Sequence, residues 1–329
     1  MVASKLVVLA LLLLALIAAG FFILNPEPTS EANGFDRVSV RLKWLHQAQF
    51  AGVYYAQEAG FYKSEGLDVE INEGGVDYPS VQMVASGSDD FGITSASSLL
   101  MAREKKIPVV GIAVIYRKTP SVFFALNSSN ITTPKDFEGK SVGIKYGSED
   151  ELVWNLLVQK TGINISRVDV VPVKYYLTPF FAGSVDVWTG YAINELIAAQ
   201  EKGFNVTVIN PNDYGIELYD DTIITSERTL REHPDVVNKF VRATLKGWEE
   251  AATNWETAVE YTLKYQPKTT SSHETKMLVA SIPLIVSSQS SIGWIDQHVL
   301  NSMQDLLLSQ EQMHSKIDVR TAFTNEFVG

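Results

Sequence analysis

Apolar and polar residues alternate with a period of two along Arg37–Leu42 (RVSVRL) and again along Leu67–Ile71 (LDVEI). That period turns one side of each segment toward a core and predicts two strands. Between them Ala51–Ala59 follows a helical pattern, stopped by Gly60-Phe61-Tyr62. The alternation continues with a helix over Tyr78–Ser86, a short buried strand at Phe91–Ile93, a helix over Ser95–Glu104 and a strand over Val109–Ile115. Val122–Leu126 (VFFAL) is a further strand. Thr133-Pro134 opens a helical turn, with threonine as cap and proline in the first turn. A second series follows, with strands over Ser141–Lys145, Val168–Val173, Val185–Thr189 and Val206–Asn210, and helices over Glu149–Lys160, Thr178–Ala182 and Asn194–Lys202. Asp221–Thr225 (DTIIT) is the last strand, and one long helix is predicted from Pro234 through Trp255. Trp248 and Trp255 lie seven apart, two turns along one face, and read as core. Strands alternating with helices predict parallel pairing and an α/β fold, with turn residues gathered at the carboxyl edge where such sheets bind ligands.

The N-terminal segment departs from this pattern. Leu6–Leu24 is nineteen residues without a charge, preceded by Lys5. It is longer than a usual signal-peptide core and just reaches a bilayer span. A signal peptide cleaved near Ala18-Ala19-Gly20 and an uncleaved membrane anchor both fit. The anchor is favoured because Phe21–Leu24 carries the apolar run past the small residues. Residues 25–34 are polar, hold two prolines and read as a linker. The domain that follows is expected outside the cytoplasm, at the cell surface or in a periplasm. Four Asn-x-Ser/Thr sequons, at Asn127, Asn130, Asn164 and Asn205, agree with that placement.

Composition narrows the function. A chain of 329 residues suits about two lobes. Lys and Arg total 27 against 38 Asp and Glu, a net charge of −11, which speaks against a nucleic-acid partner. Cysteine is absent, which excludes disulfides, zinc–thiolate and iron–sulfur sites, cysteine nucleophiles and the lipid anchor of a bacterial lipoprotein. The histidines are scattered and there is no Walker-type phosphate loop, so neither metal nor cofactor is expected.

Four segments carry a family resemblance: Leu42–Gly52 (LKWLHQAQFAG); Gly60-Phe61-Tyr62 with Glu65–Val69 and Gly74-Gly75; Asp90–Ile93 with Ser95; and Phe181–Tyr191 (FAGSVDVWTGY) with Asn194-Glu195. Together they resemble the ABC-importer solute-binding proteins for thiamine pyrimidine precursors, relatives of riboflavin-binding and sulfonate- or nitrate-binding proteins. The resemblance runs from about Val38 to Trp255. It implies a periplasmic-binding-protein-like (type II) fold, with two lobes joined by a two-strand hinge and a ligand cleft between them. Residues 35–126 and 225–329 then form the first lobe and residues 127–224 the second, with crossings near Phe124–Asn127 and Asp221–Ser226. The implied function is capture of a small heteroaromatic vitamin precursor, of the hydroxymethylpyrimidine or aminopyrimidine type, and its delivery to an importer permease. Riboflavin capture and a ligand-sensing receptor module are the alternatives. A pyrimidine synthase is disfavoured, because the related eukaryotic enzyme relies on a cysteine-rich iron-associated motif that this chain lacks; the protein is read as a binder, not an enzyme.

Ligand contacts are expected at three strand-to-helix turns and at the helix start at Ser95. Trp44 and Phe50 offer flat apolar faces, and His46, Gln47 and Gln49 offer donors and acceptors on short arms. A flat heterocycle needs stacking on its faces and hydrogen bonds at its edge. Ser95 opens a helix whose free N–H groups take a ring acceptor or an anion, unless the serine simply caps it. Tyr146, Ser148 and Glu149 form the second turn, with Glu149 or Glu151 accepting from an exocyclic amine or, alternatively, only complementing the helix dipole. Trp188 is placed to supply the opposite face of a stack, beside Tyr175, Tyr191 and Asn194. Glu195 contacts ligand or shapes the loop through an ion pair. Tyr176 and Phe180 are further aromatics that otherwise pack helices, and Tyr214 is a candidate lid residue.

Overall fold

The computed structural model describes residues 34–329 apart from residue 289. The apolar leader, and all of the linker except Gly34, lie outside the described residues. Among the described residues no helix is long and apolar enough to cross a membrane.

The strands in chain order are β1 (Asp36–Arg41), β2 (Leu67–Asn72), β3 (Phe91–Thr94), β4 (Val109–Val114), β5 (Ser121–Leu126), β6 (Ser141–Ile144), β7 (Asp169–Pro172), β8 (Val187–Tyr191), β9 (Val206–Ile209) and β10 (Thr222–Ser226). They form two five-stranded sheets, β2-β1-β3-β10-β4 and β7-β6-β8-β5-β9. In β1, Val38 and Val40 point into the core while their neighbours do not, as the period of two requires. β4 (VVGIAV) is buried at every position and is covered on both faces. Helix starts follow their caps. Ser95 accepts from the Ser98 N–H ahead of Ala96–Glu104, Ser148 accepts from the Asp150 N–H ahead of Glu149–Thr161, and Thr133 and Asp136 form a capping box around the 3-10 turn Pro134–Phe137.

Three expectations are corrected. The sheets are mixed, not parallel throughout. In each, the strand belonging to the passage between sheets runs against the rest: β5 is antiparallel to β8 and β9, and β10 to β3 and β4. The passages themselves differ from the expected crossings. The chain leaves the first sheet after Val114 and enters the second at Ser121, so Phe124–Asn127 falls in and just beyond a strand of the second sheet. It returns between Ile209 and Thr222. Finally, the long helix ends at Thr253 and a separate helix, Trp255–Tyr265, begins after Asn254, whose ψ of 54 leaves the helical range.

Trp248 is buried and Trp255 partly so. Trp248 lies on the helix Pro234–Thr253 where it crosses Ala51–Glu58. A Cβ on Gly52 would collide with the Trp248 indole, and one on Gly247 with the Gly52 carbonyl. Two glycines therefore let these helices approach to backbone contact under one half of the molecule.

Candidate functional site

The carboxyl edges of the two sheets face each other, and the side chains between them form one polar cluster. Lys43, two residues past the end of β1, extends from the first half. Its ammonium donates to Asp220 Oδ1, to Asp221 Oδ1 at 3.4 Å and to the Tyr191 hydroxyl of the second half at 2.9 Å. Tyr191 Oη donates in turn to Asp220 Oδ2 at 2.9 Å. Gln49 Nε2 donates to both Asp221 oxygens at 3.0 and 2.9 Å, and Gln47 Nε2 donates to Gln49 Oε1 at 2.6 Å. Two further contacts join the halves: Ser97 Oγ donates to Glu149 at 3.0 and 2.8 Å, and Asn194 Nδ2 to Gln47 Oε1 at 3.4 Å. Beside them Trp44 meets Tyr175, ring centroids 4.7 Å apart and tilted by 45°.

A second lysine sits in the second half. Lys145, directly after β6, pairs with Asp150 at 2.7 Å and Glu195 at 3.6 Å and donates to the Thr189 carbonyl at 2.8 Å. Ser121 Oγ donates to the other Asp150 oxygen at 3.1 Å. Glu195 Oε2 accepts from the Tyr191 N–H at 2.9 Å.

The electrostatics follow from two ammoniums among Glu149, Asp150, Glu195, Asp220 and Asp221. Burial, then Asp220, pushes the Glu149 carboxyl up to about 7, with Lys43 and Ser97 offsetting part of the rise. Burial also pushes Asp221 up to about 7, Lys43 opposing it. Glu195 is raised by burial against the pull of Lys145. For Lys43 burial disfavours the ammonium, yet Asp220 and Asp221 more than compensate and its pKa rises. The Tyr191 phenol is pushed far up by burial and the nearby carboxylates, so it acts only as a neutral hydroxyl. The site has acceptors in excess and is unfavourable for an anion.

Of the residues singled out from sequence, Trp44, Gln47, Gln49, Glu149, Tyr175, Tyr191, Asn194 and Glu195 fall in this cluster or on its rim. Ser95 and Ser148 are caps, although Ser95 Oγ also touches Ser97 Oγ at 2.8 Å and Ser148 Oγ donates to the Lys145 carbonyl at 2.6 Å. Tyr146 is exposed. Three placements are corrected. Phe50 is fully buried in the core of the first half, so its faces are taken by protein. His46 turns away from the cluster, its Nδ1 3.0 Å from Tyr54 Oη and its ring beside Tyr265. Trp188, the second residue of β8, is fully buried, packed with Val122, Phe124 and Phe180. Phe180 is helix-packing core, and Tyr176 is exposed.

Lys43, Ser97 (as a hydroxyl), Lys145, Asp150 and the Asp220-Asp221 pair were not singled out as contacts. A signal was present: each lysine is the first charged residue past a strand, and the aspartate pair opens the TIIT strand.

Two sheet-based halves with converging carboxyl edges and a polar cluster between them define a periplasmic-binding-type α/β protein. The periplasmic aliphatic sulphonate binding protein SsuA of Escherichia coli has the same fold, with a TM-score of 0.72 at 16% identity over 87% of this chain and 97% of that one. The chain belongs to the NMT1/THI5 like family, which it matches over residues 47–258. It is 28% identical to the riboflavin-binding protein RibY of Chloroflexus aurantiacus over 92% of this chain and 88% of that protein. It is 29% identical to the formylaminopyrimidine-binding protein of Halalkalibacterium halodurans over 72% and 73% of the two chains. A 4-amino-5-hydroxymethyl-2-methylpyrimidine phosphate synthase of Legionella pneumophila is 24% identical over 89% of this chain and 92% of that one.

Proposed function

We propose that this protein is the extracytoplasmic solute-binding component of an ABC importer, and that it captures a flat, donor-rich heteroaromatic compound of the aminopyrimidine type between its two halves. One observation carries the reading. Carboxyl oxygens of Glu149 and Asp221 stand between the halves, at the same sheet edges that carry the paired rings of Trp44 and Tyr175. A ring that stacks on Trp44 and donates exocyclic N–H groups to those oxygens satisfies both features. Five carboxyl groups against two ammoniums argue against sulfonate or nitrate once Glu149 and Asp221 ionise near pH 7. In this reading the passages 115–120 and 210–221 act as the hinge, and the ligand replaces Ser97 on Glu149 when the halves close over it. The two binding-protein relatives, named for an aminopyrimidine and for a flavin, support the class.

Riboflavin is the second reading. Beside Trp44 lies a groove of about 480 Å³ lined by Arg41, Glu73, Asp77 and Tyr78 among others. Its carboxylates suit the hydroxyls of a ribityl chain. Catalysis is not part of the proposal, since the binding-protein relatives support a binder; the synthase relative makes turnover worth assaying. The test is a thermal-shift panel of aminopyrimidines, thiamine, riboflavin, taurine and nitrate. A ligand at 100 times its Kd stabilises by about 2.7 kcal/mol. A shift with an aminopyrimidine or riboflavin supports the reading and chooses between its two forms; a shift with taurine or nitrate alone overturns it.

A further inference from the structure

The four sequons are the one sequence motif that the ligand site does not use, and the fold gathers them. All lie in the second half, in connections of one sheet. β6 and β8 run parallel, and β5 runs antiparallel to β8 and β9. The ligand-side edge of that sheet is therefore marked by Lys145 after β6, Tyr191 at the end of β8 and Ser121 at the start of β5. The opposite edge is marked by the end of β5 and the starts of β6, β7 and β9. Asn127 and Asn130 follow the end of β5, Asn205 immediately precedes β9, and Asn164 opens the turn Ile165–Arg167 that leads into β7. The Asn127 N–H donates to the Asn205 carbonyl at 3.0 Å, so those two sequons adjoin in space. Sequons separated by up to 78 positions in sequence, and falling in three different connections, thus share the pole that faces away from the cluster.

All four asparagines are exposed. Where their side chains are engaged, the carbonyl oxygen does the work. Asn127 Oδ1 accepts from Thr207 Oγ1 at 2.8 Å, and Asn164 Oδ1 accepts from the Ser166 N–H at 3.2 Å and from its hydroxyl at 2.8 Å. The amide nitrogens remain free. Asn130 sits at φ 55, a left-handed position that pushes its side chain out of the local turn. The bland account is that asparagine suits turns and caps. It explains the residue type at Asn130 and Asn164. It does not explain why all four Asn-x-Ser/Thr sites gather at one end of one half.

We infer that this pole is N-glycosylated. The donor is a lipid-linked oligosaccharide, carried on a phosphate or diphosphate. The asparagine Nδ2 forms a C–N bond to the anomeric carbon as the anomeric C–O bond breaks, the lipid phosphate leaves with that electron pair, and the amide loses one proton. The link uses Nδ2 and leaves Oδ1 as an acceptor, so the bonds from Thr207 and Ser166 survive it. The glycans stand at the far end of the sheet from Lys145 and Tyr191 and leave ligand entry and closure unhindered. The inference rests on the extracytoplasmic placement proposed above.

The test is glycopeptide mass spectrometry of the full chain isolated from the cells that make it, with fractionation to locate it. Sugar on one or more of Asn127, Asn130, Asn164 and Asn205 is the expected result. Asn→Gln at all four should remove the added mass and change the Kd measured with an aminopyrimidine or riboflavin probe by less than twofold. Four bare asparagines on a chain recovered outside the membrane overturn the glycan and leave the placement standing. Four bare asparagines on a chain recovered from the cytoplasm overturn both.

Discussion

Lys43 and Lys145 occupy equivalent places, each within two residues of the end of a strand at the carboxyl edge of its sheet, yet they serve different ends. Every partner of Lys145 (Asp150, Glu195 and the Thr189 carbonyl) comes from the second half. The pair with Asp150 is almost wholly buried, with side chains 5% and 4% exposed. Lys43 keeps 20% exposure and reaches from the first half to Tyr191 in the second, through Asp220 on the returning passage. The first arrangement builds a half; the second joins the halves. A buried ion pair inside one rigid unit is architecture, whereas the same chemistry between two units is free to be remade around a ligand.

The largest effect that would break this comparison is on stability. Lys145→Met strands the buried Asp150 and Glu195 carboxylates and is expected to cost about 3–5 kcal/mol in urea denaturation. Lys43→Met should cost clearly less, because that side chain is partly solvated and Glu149 and Asp221 can take up protons. Equal costs for the two variants would remove the distinction drawn here. The two tryptophans separate in the same way. Trp188→Ala is expected to lower stability by about 3–5 kcal/mol, as for other large core truncations. Trp44→Ala should leave stability nearly unchanged and weaken ligand binding by roughly 1–3 kcal/mol in calorimetric titration.

The dependence on pH sharpens the role of the cluster. The folded state holds Glu149 and Asp221 protonated up to about 7, whereas the unfolded chain releases those protons near the ordinary carboxylate range. Between these limits the native state binds more protons, so their contribution to stability is fully present below about pH 4 and is lost as pH rises to about 7. The raised Lys43 pKa acts only in alkaline solution and does not enter this window. Thermal midpoints of the ligand-free protein should therefore fall over this range relative to the double variant Glu149→Gln/Asp221→Asn. A parallel pair of curves would show that the two carboxyls titrate normally. Affinity for an N–H-donating ligand should rise over the same interval, since the ionised carboxylates accept better. The smallest effect expected is at Tyr175, half exposed and in tilted contact with Trp44. Tyr175→Phe should be silent in affinity and Tyr175→Ala should lose about 0.5–1.5 kcal/mol, the range of an aromatic pair.

Much of the fold was legible locally. The period of two in β1 and β2, the glycine stops, and the caps at Ser95 and Thr133 are short-range physics, and each reappears in the structure. The candidate turns were legible for the same reason, since a strand that ends before a helix cap puts its loop at the sheet edge. What failed was the sense of side chains within those turns. Phe50 and His46 belong to the same loop as Trp44 and Gln49 but face the helices beneath it. Trp188 was read as a ligand face beside Tyr191 and Asn194, but it is the second residue of β8, which continues to Tyr191, and it is buried.

The sequence by itself determined the elements, their caps, the acidic balance, the absence of thiol chemistry and the family, because these depend on residue type and on neighbours a few positions away. The tertiary structure alone decided which charges meet. Lys43 and Asp220 are 177 positions apart, and Ser97 and Glu149 are 52 apart. A lone lysine past a strand looks like any solvated lysine until the fold brings a carboxylate to it. The same holds for the sequons, whose common pole exists only because strand direction sets which connections share an edge. Pairings of this kind depend on chain topology rather than local pattern, and they decide both where a ligand can be held and where sugar can be carried.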